Sequence, residues 1–364
     1  MMNSTRMSAT LGFTLLELLL VLALSSVLTT AVVRIFIGNR QNVQLSESYA
    51  RIQESSRYAL DYLARDFRMA GYLGCVNSTV GAKITDLLSP TDADYKPAIH
   101  AFDKPIRAID NYNPANSVHV NAFNSITNTT IKPVAGTDVF ESSSAVSTDL
   151  ISTNVQASNT NNFSLGGPAN QIDVLQTGLI LMLTDCNTAH IFSVSNVVKP
   201  TTTTATVTHA TAVNPGINNT TAFVGVNYPA GSQVLVMNTT LYYIGPSTVV
   251  PAKAGQPQVN SLYRVSTLNG GVPEELVPYV QDMQLLYSVD TNNDGAPDVY
   301  KTAAQIETDG DDYLASVYSV DISLIVSGNV DVNAPALAGF PDDGLLRKRY
   351  TRLVNIRNAG LGSY

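Results

Sequence analysis

From Phe13 to Val33 the chain is one apolar run, broken by a single carboxylate at Glu17. Its 21 residues make a helix of roughly 31 Å at ~1.5 Å per residue, the thickness of a bilayer's hydrocarbon core. A charged side chain at that depth costs ~2.5 to 3.5 kcal/mol on insertion scales. Such residues are rare without a partner or a function. A secretory signal would carry a shorter apolar core and then a small-residue cleavage site, and no Ala-x-Ala-like site directly follows this run. A plain anchor fits the length but gives Glu17 no purpose. A third alternative puts a cut between Gly12 and Phe13, in front of the run, leaving a leader of residues 1–12 with one basic residue, Arg6. Arg34 and Arg40 follow the span, so charge counting alone does not set its orientation.

The helix is expected to continue past the span. No proline occurs from Arg34 to Ala70. Leu45, Tyr49, Ile52, Ala59, Leu63, Phe67 and Ala70 recur three, four or seven apart, the spacing of one helical face. Glu47 with Arg51, Glu54 with Arg57, Arg57 with Asp61 and Asp61 with Arg65 fall at helical spacing on the solvated side. Gly71 is a plausible stop. A helix over 13–70 would be about 87 Å long at ~1.5 Å per residue.

Beyond about Asn77 the texture turns to strands and polar loops. Strands are expected over Gln171–Thr177, Leu179–Asp185, His190–Val198, Gln233–Ile244, Ser261–Ser266, Val317–Ser327 and Arg349–Arg357, from their β-branched and aromatic content. Leu276–Leu286 is ambiguous because Pro278 breaks any long helix through it. The polar stretches Asn113–Pro133, Ser152–Asn170 and Lys199–Asn219 read as long loops.

The residues around the apolar run resemble the prepilin motif of type IV pilins and type II secretion pseudopilins: Gly12 closing a leader, Phe13 next, Glu17 as fifth mature residue, then an unbroken apolar helix. The resemblance implies cleavage after Gly12 by a prepilin peptidase and N-methylation of Phe13. It also implies that Glu17 offsets the mature amino terminus of a neighbouring subunit, setting register. Opposite charges attract strongly in a low-dielectric core. Two longer blocks narrow the family. Arg51 through Tyr72, and Phe340-Pro341-Asp342-Asp343 through Arg347, Arg349 and Tyr350 to Asn358, look like PilW-type minor pilins, as do Asp185-Cys186 and Ser261-Leu262-Tyr263-Arg264.

That resemblance implies an α+β fold: a long N-terminal pilin helix over 13–70, transmembrane over 13–33, packed on a β-rich head over 71–364. It implies a minor pilin that helps initiate pilus assembly, in a complex with other minor pilins and the major pilin. The complex would lie at the pilus tip beneath an adhesin, with consequences for twitching motility and cell adhesion. The expected location is the inner membrane, single pass, amino terminus cytoplasmic and head periplasmic, and then the pilus. The alternatives are a large minor pseudopilin of a type II secretion system, or a membrane-anchored surface adhesin or enzyme with a coincidental motif.

Other chemistry is sparse. A net charge of −8 without a basic run argues against nucleic acid as a partner. Two cysteines are too few for a metal cluster; in an exported chain Cys75 and Cys186 are expected to pair, the alternative being two buried thiols. Asp290-x-Asn292-x-Asp294-Gly295-Ala296-x-Asp298 has calcium-loop spacing, with Ala296 offering its carbonyl. Lys301 stands where an EF-hand needs its bidentate Glu, so the alternative is a hairpin turn. Glu307, Asp309, Asp311 and Asp312 form a second acidic cluster, read either as further ligands for that loop or, in preference, as a solvated loop. His100, His119, His190 and His209 have no zinc spacing, and neither a Gly-x-Ser-x-Gly elbow nor a phosphate loop occurs. A binding protein is expected, not an enzyme.

Overall fold

The structure, a computed structural model, describes residues 14–76, 83–100, 102, 106–126, 129–157, 160–221, 226–251, 257–292, 294, 296–309, 317–330, 337–339 and 345–358. It shows a long apolar helix and a β-rich body with two sheets, an α+β fold. The chain divides into two compact units, one of residues 1–51 with 328–346 and one of residues 52–327 with 347–364.

Helix α1 (Leu15–Met69) begins in the first unit and ends in the second. In the first unit every residue from Thr14 to Ile37 is exposed, and the helix has the length and composition to cross a membrane. Farther along, the buried residue is Ser48, whereas Tyr49, expected on the inner stripe, is exposed. The reason is contact with backbone. A Cβ on Gly328 would lie 2.7 Å from the Ser48 Cβ, so only small side chains fit there.

In the second unit the elements run β1 (Lys83–Asp86), α2 (Pro97–His100), β2 (Ile106–Ile109), α3 (Ser117–Ile126), β3 (Val139–Ser152), β4 (Asn162–Gly166), α4 (Ala169–Asp173), β5 (Ile180–Thr184), β6 (Thr188–Ser193), β7 (Asn196–Thr201), β8 (Thr204–Thr208), β9 (Gln233–Pro246) and β10 (Asn260–Ser266). A 3-10 turn (Thr267–Asn269), β11 (Pro273–Pro278), β12 (Val280–Val289), β13 (Val299–Lys301) and α5 (Ala303–Asp309) follow. Strands β14 (Val317–Val330) and β15 (Leu345–Asn355) close the order, each with one end in the first unit.

The larger sheet has the order β1-β6-β5-β9-β3-β4-β8-β7, with β10 joining β9 to β11 and β2 on β3. Its central strand is β9, whose first residues pair with β5 and whose later ones pair with β10, while β3 lies along its other edge. The near-continuous burial of β9 suits a strand covered on both faces. The second sheet runs β13-β12-β14-β15. Asp138 ties the two sheets together. Its buried carboxylate accepts the amides of Asn111 at 2.8 Å and Leu285 at 2.7 Å, and its own amide donates to Met283 at 2.9 Å.

The last five turns of α1 bury Ile52, Ala59, Leu63 and Phe67, and Ala70 just past the helix end is buried with them, as the spacing predicts. Phe67 stacks on Phe140 of β3 with centroids 3.6 Å apart. The helix stops at Met69 and Gly71 follows at φ +72°, its amide donating to Ser143. Left-handed backbone of this kind costs glycine nothing, which makes it an effective helix stop.

Several expectations need correction. Gln171–Thr177 is not a strand: Pro168 opens α4 over it. His190–Val198 is two strands, β6 and β7, and Leu276–Leu286 is split by Tyr279 at φ +71°. The polar stretches are not bare loops, since they hold α3, β4 and β8. Helix α3 has a readable start, because Asn116 Oδ1 accepts the Val118 amide at 2.9 Å. Strand β3 had no expectation at all. Its serines, buried at Ser142 and Ser143, read as loop, yet the small side chain of Ser142, on the same face as Phe140, is what lets the end of α1 come down onto the strand.

Candidate functional site

Glu17 stands at the third position of α1. The Thr14 amide and hydroxyl both donate to Glu17 Oε2 at 3.1 Å, and the Glu17 amide donates back to Thr14 Oγ1 at 3.2 Å. This is a capping box, in which Thr-x-x-Glu satisfies two of the amides that a helix start leaves open. The negative carboxylate also sits at the positive end of the helix dipole. Thr14 was missed as a partner, although Thr-x-x-Glu ahead of an apolar run was legible. Gly12 and Phe13 lie outside the described residues.

Beyond the cap, the side chains of the span cover nothing and are covered by nothing among the described residues. Ser26, Thr29 and Thr30 turn their hydroxyls back to carbonyls three or four residues earlier at 2.7–2.8 Å. The hydroxyls of this apolar helix are thereby satisfied within the helix itself.

Cys75 and Cys186 are joined, with Cα atoms 5.2 Å apart across 111 residues of sequence. The bond ties the segment leaving α1 to the β5–β6 turn, where Asp185 Oδ1 accepts the amides of Asn187 and Thr188. Cys186 itself takes φ +72°.

The 290–298 segment joins β12 to β13, which pair antiparallel at Val289 and Val299. Its carboxylates serve the turn. Asp290 accepts the Asn292 amide, Asp294 that of Ala296, and Asp298 the amide and hydroxyl of Thr291. The Asn292 side-chain amide lies 3.2 Å from Asp294 and 3.3 Å from Asp298 and bonds to both. Among the described residues no three His, Cys, Asp or Glu side chains converge as a metal site. As it stands, the segment is a hairpin turn whose carboxylates are engaged by its own amides and by the Thr291 hydroxyl. Asp311 and Asp312 lie outside the described residues, and Asp309 pairs with Lys301 at 3.0 Å.

The histidines are built into the body. His100 Nδ1 accepts the Lys96 amide at 2.9 Å, His119 Nδ1 that of Asn113 at 3.0 Å, and His190 Nδ1 lies 2.6 Å from the Tyr228 hydroxyl. His209 is fully buried beside Phe163 and Phe192. Burial holds the imidazoles of His100, His190 and His209 at a pKa of about 4.

One carboxylate with an unusual environment went unread. Glu275 of β11 accepts from the hydroxyls of Ser247, Thr248, Ser261 and Tyr263 and from the amides of Thr248 and Val249, at 2.5–3.2 Å. These donors outweigh its partial burial and bring its pKa down to about 2. It pins the chain after β9 to the β10–β11 hairpin. Nothing in the sequence spacing marks it, because its donors come from two separate segments, 247–249 and 261–263.

Comparison with family models returns PilW, described as type IV pilus-assembly protein W, over residues 241–358, about a third of the chain. No curated protein and no solved structure matches. The matched stretch runs from within β9 through β15, including the Ser261–Arg264 strand and the C-terminal block. The Arg51–Tyr72 block and Asp185-Cys186 fall outside it. Over those strands the match supports a PilW-type protein of the type IV pilus, the family that the sequence resembles.

Proposed function

We propose that the chain is a minor pilin that takes part in initiating type IV pilus assembly, and that it works by binding, without catalysis. The single observation that carries this is the PilW match across β9–β15 in a chain whose N-terminal helix is apolar, uncovered and long enough to span a membrane. In this reading the apolar half of α1 packs among the helices of other minor pilins and the major pilin. Prepilin peptidase cuts after Gly12, Phe13 is N-methylated, and Glu17 meets a neighbour's amino terminus. The protein then resides in the inner membrane with its head periplasmic, and later at the pilus tip near an adhesin.

The Glu17 cap supports this assignment. A carboxylate held at the membrane-embedded start of a helix is already ordered by Thr14, so meeting a neighbour's amine costs it little further side-chain entropy. Deletion of the gene followed by counting surface pili tests the function. Loss of pili with protein secretion intact is expected. Loss of secretion with pili intact would move the chain to the type II secretion alternative.

A further inference from the structure

A cleft of about 490 Å³ opens on the larger sheet where the end of α1 faces the β10–β11 hairpin. It falls in the size range of small-ligand sites, ~300–1,000 Å³. Tyr62, Arg65 and Asp66 project from one helix face, being three and four residues apart. Asn238 and Thr240 rise from β9, Arg264 from β10, Asn269 from the 3-10 turn and Glu274 from β11.

The walls are already in order. Arg264 donates to Glu274 at 2.6 Å, Tyr242 to Asp66 Oδ2 at 2.5 Å, and Asn238 bonds Ser266, Thr267 and Thr240 at 2.8–3.1 Å. Unused capacity remains on both sides of the hydrogen-bond ledger. The Arg65 guanidinium and the Asn269 amide have no side-chain partner among the described residues, and Asp66 Oδ1 accepts nothing there. Two arginines balance one aspartate and one glutamate, so the lining has no net formal charge. At the rim stands one exposed aromatic ring, Tyr62.

We propose that this cleft binds a neutral saccharide. A sugar ring offers vicinal hydroxyls, each both donor and acceptor, which suit planar guanidinium, amide and carboxylate groups placed side by side. Its other face is C–H, which suits a tyrosine ring. A charged ligand would find its charge cancelled here, and an apolar one would strand the polar groups. The inference does not depend on the pilus reading.

The full-length chain, held in a detergent without a sugar headgroup, is screened on an array of neutral and anionic glycans. The best neutral glycan is then titrated against Tyr62→Ala, Tyr62→Phe and Asn269→Ala. Binding of a neutral glycan is expected, weakened at least tenfold by Tyr62→Ala and by Asn269→Ala and retained in Tyr62→Phe. The proposal is overturned if no glycan binds, if only anionic glycans bind and salt abolishes it, or if all three variants bind like the parent. Crosslinking of the cleft to another pilus subunit, with no glycan retained, would also overturn it and give the cleft to a protein segment.

Discussion

Thr14 and Glu17 close on each other at the start of α1, the Thr14 hydroxyl 3.1 Å from the Glu17 carboxylate and the Glu17 amide 3.2 Å from the Thr14 hydroxyl. Glu17 therefore has two separable duties, one to its own helix and one to a neighbour. Glutamine at this position keeps the cap and drops the charge; alanine drops both. Glu17→Gln is expected to leave cleavage and helicity intact and to reduce surface piliation as severely as Glu17→Ala. Normal piliation in Glu17→Gln, scored by electron microscopy, would leave the carboxylate with capping as its role.

The Cys75–Cys186 bond closes a loop of 111 residues. By chain entropy such a loop is worth about 4–5 kcal/mol. A Cys75→Ser, Cys186→Ser chain is expected to unfold at a clearly lower denaturant midpoint, and reductant should lower the parent's midpoint but not the variant's. Equal midpoints would remove the stabilising role.

Phe67 is fully buried and stacks on Phe140. Truncating a buried phenylalanine costs about 3–5 kcal/mol. Phe67→Ala is expected to free the end of α1 from β3, seen as loss of amide-exchange protection over 59–70, whereas Tyr58→Ala at an exposed site should change nothing.

Acid acts on the body in opposite directions. His100, His190 and His209, held near 4 by burial, stay neutral when the unfolded chain takes up protons below about 6.5, so they remove stability as pH falls from 6.5 towards 4. Asp138 and Glu141 are pushed up to about 7 by burial, so the folded chain holds protons that the unfolded one lacks, and they add stability as pH falls through 7. Between pH 5 and 6 the histidines and the buried carboxylates therefore oppose one another. Asp138→Asn removes one opposing proton and is expected to make stability fall more steeply as pH goes from 6 to 5, by up to about 1.4 kcal/mol per pH unit. An unchanged slope in thermal unfolding between pH 5 and 6 would contradict the assignment.

What was legible divides by how local its cause is. The span, the helix to Met69, one residue short of the expected end, and its stop before Gly71 follow from neighbours in sequence, and strands β9, β10, β14 and β15 announce themselves by apolar content. Strand β3 does not, because Ser142, on the same face as Phe140, is kept small where α1 packs, and Ser143 on the other face is bonded to Thr239 at 2.8 Å. Tyr49 and Ser48 exchange places on the helix for a like reason, the close approach of Gly328. Within the candidate site, Glu17 stood out by its charge alone, but its first partner lay three residues away and was overlooked. The calcium spacing was visible as well, and in the structure the same carboxylates accept the amides of the turn.

Sheared surface filaments, digested and analysed by mass spectrometry for the amino-terminal peptide of this chain, test its use as a processed pilus subunit most directly. A peptide beginning at N-methylated Phe13 is expected in the filament fraction. A chain that keeps Met1 or Met2 and stays entirely in the membrane fraction would contradict it.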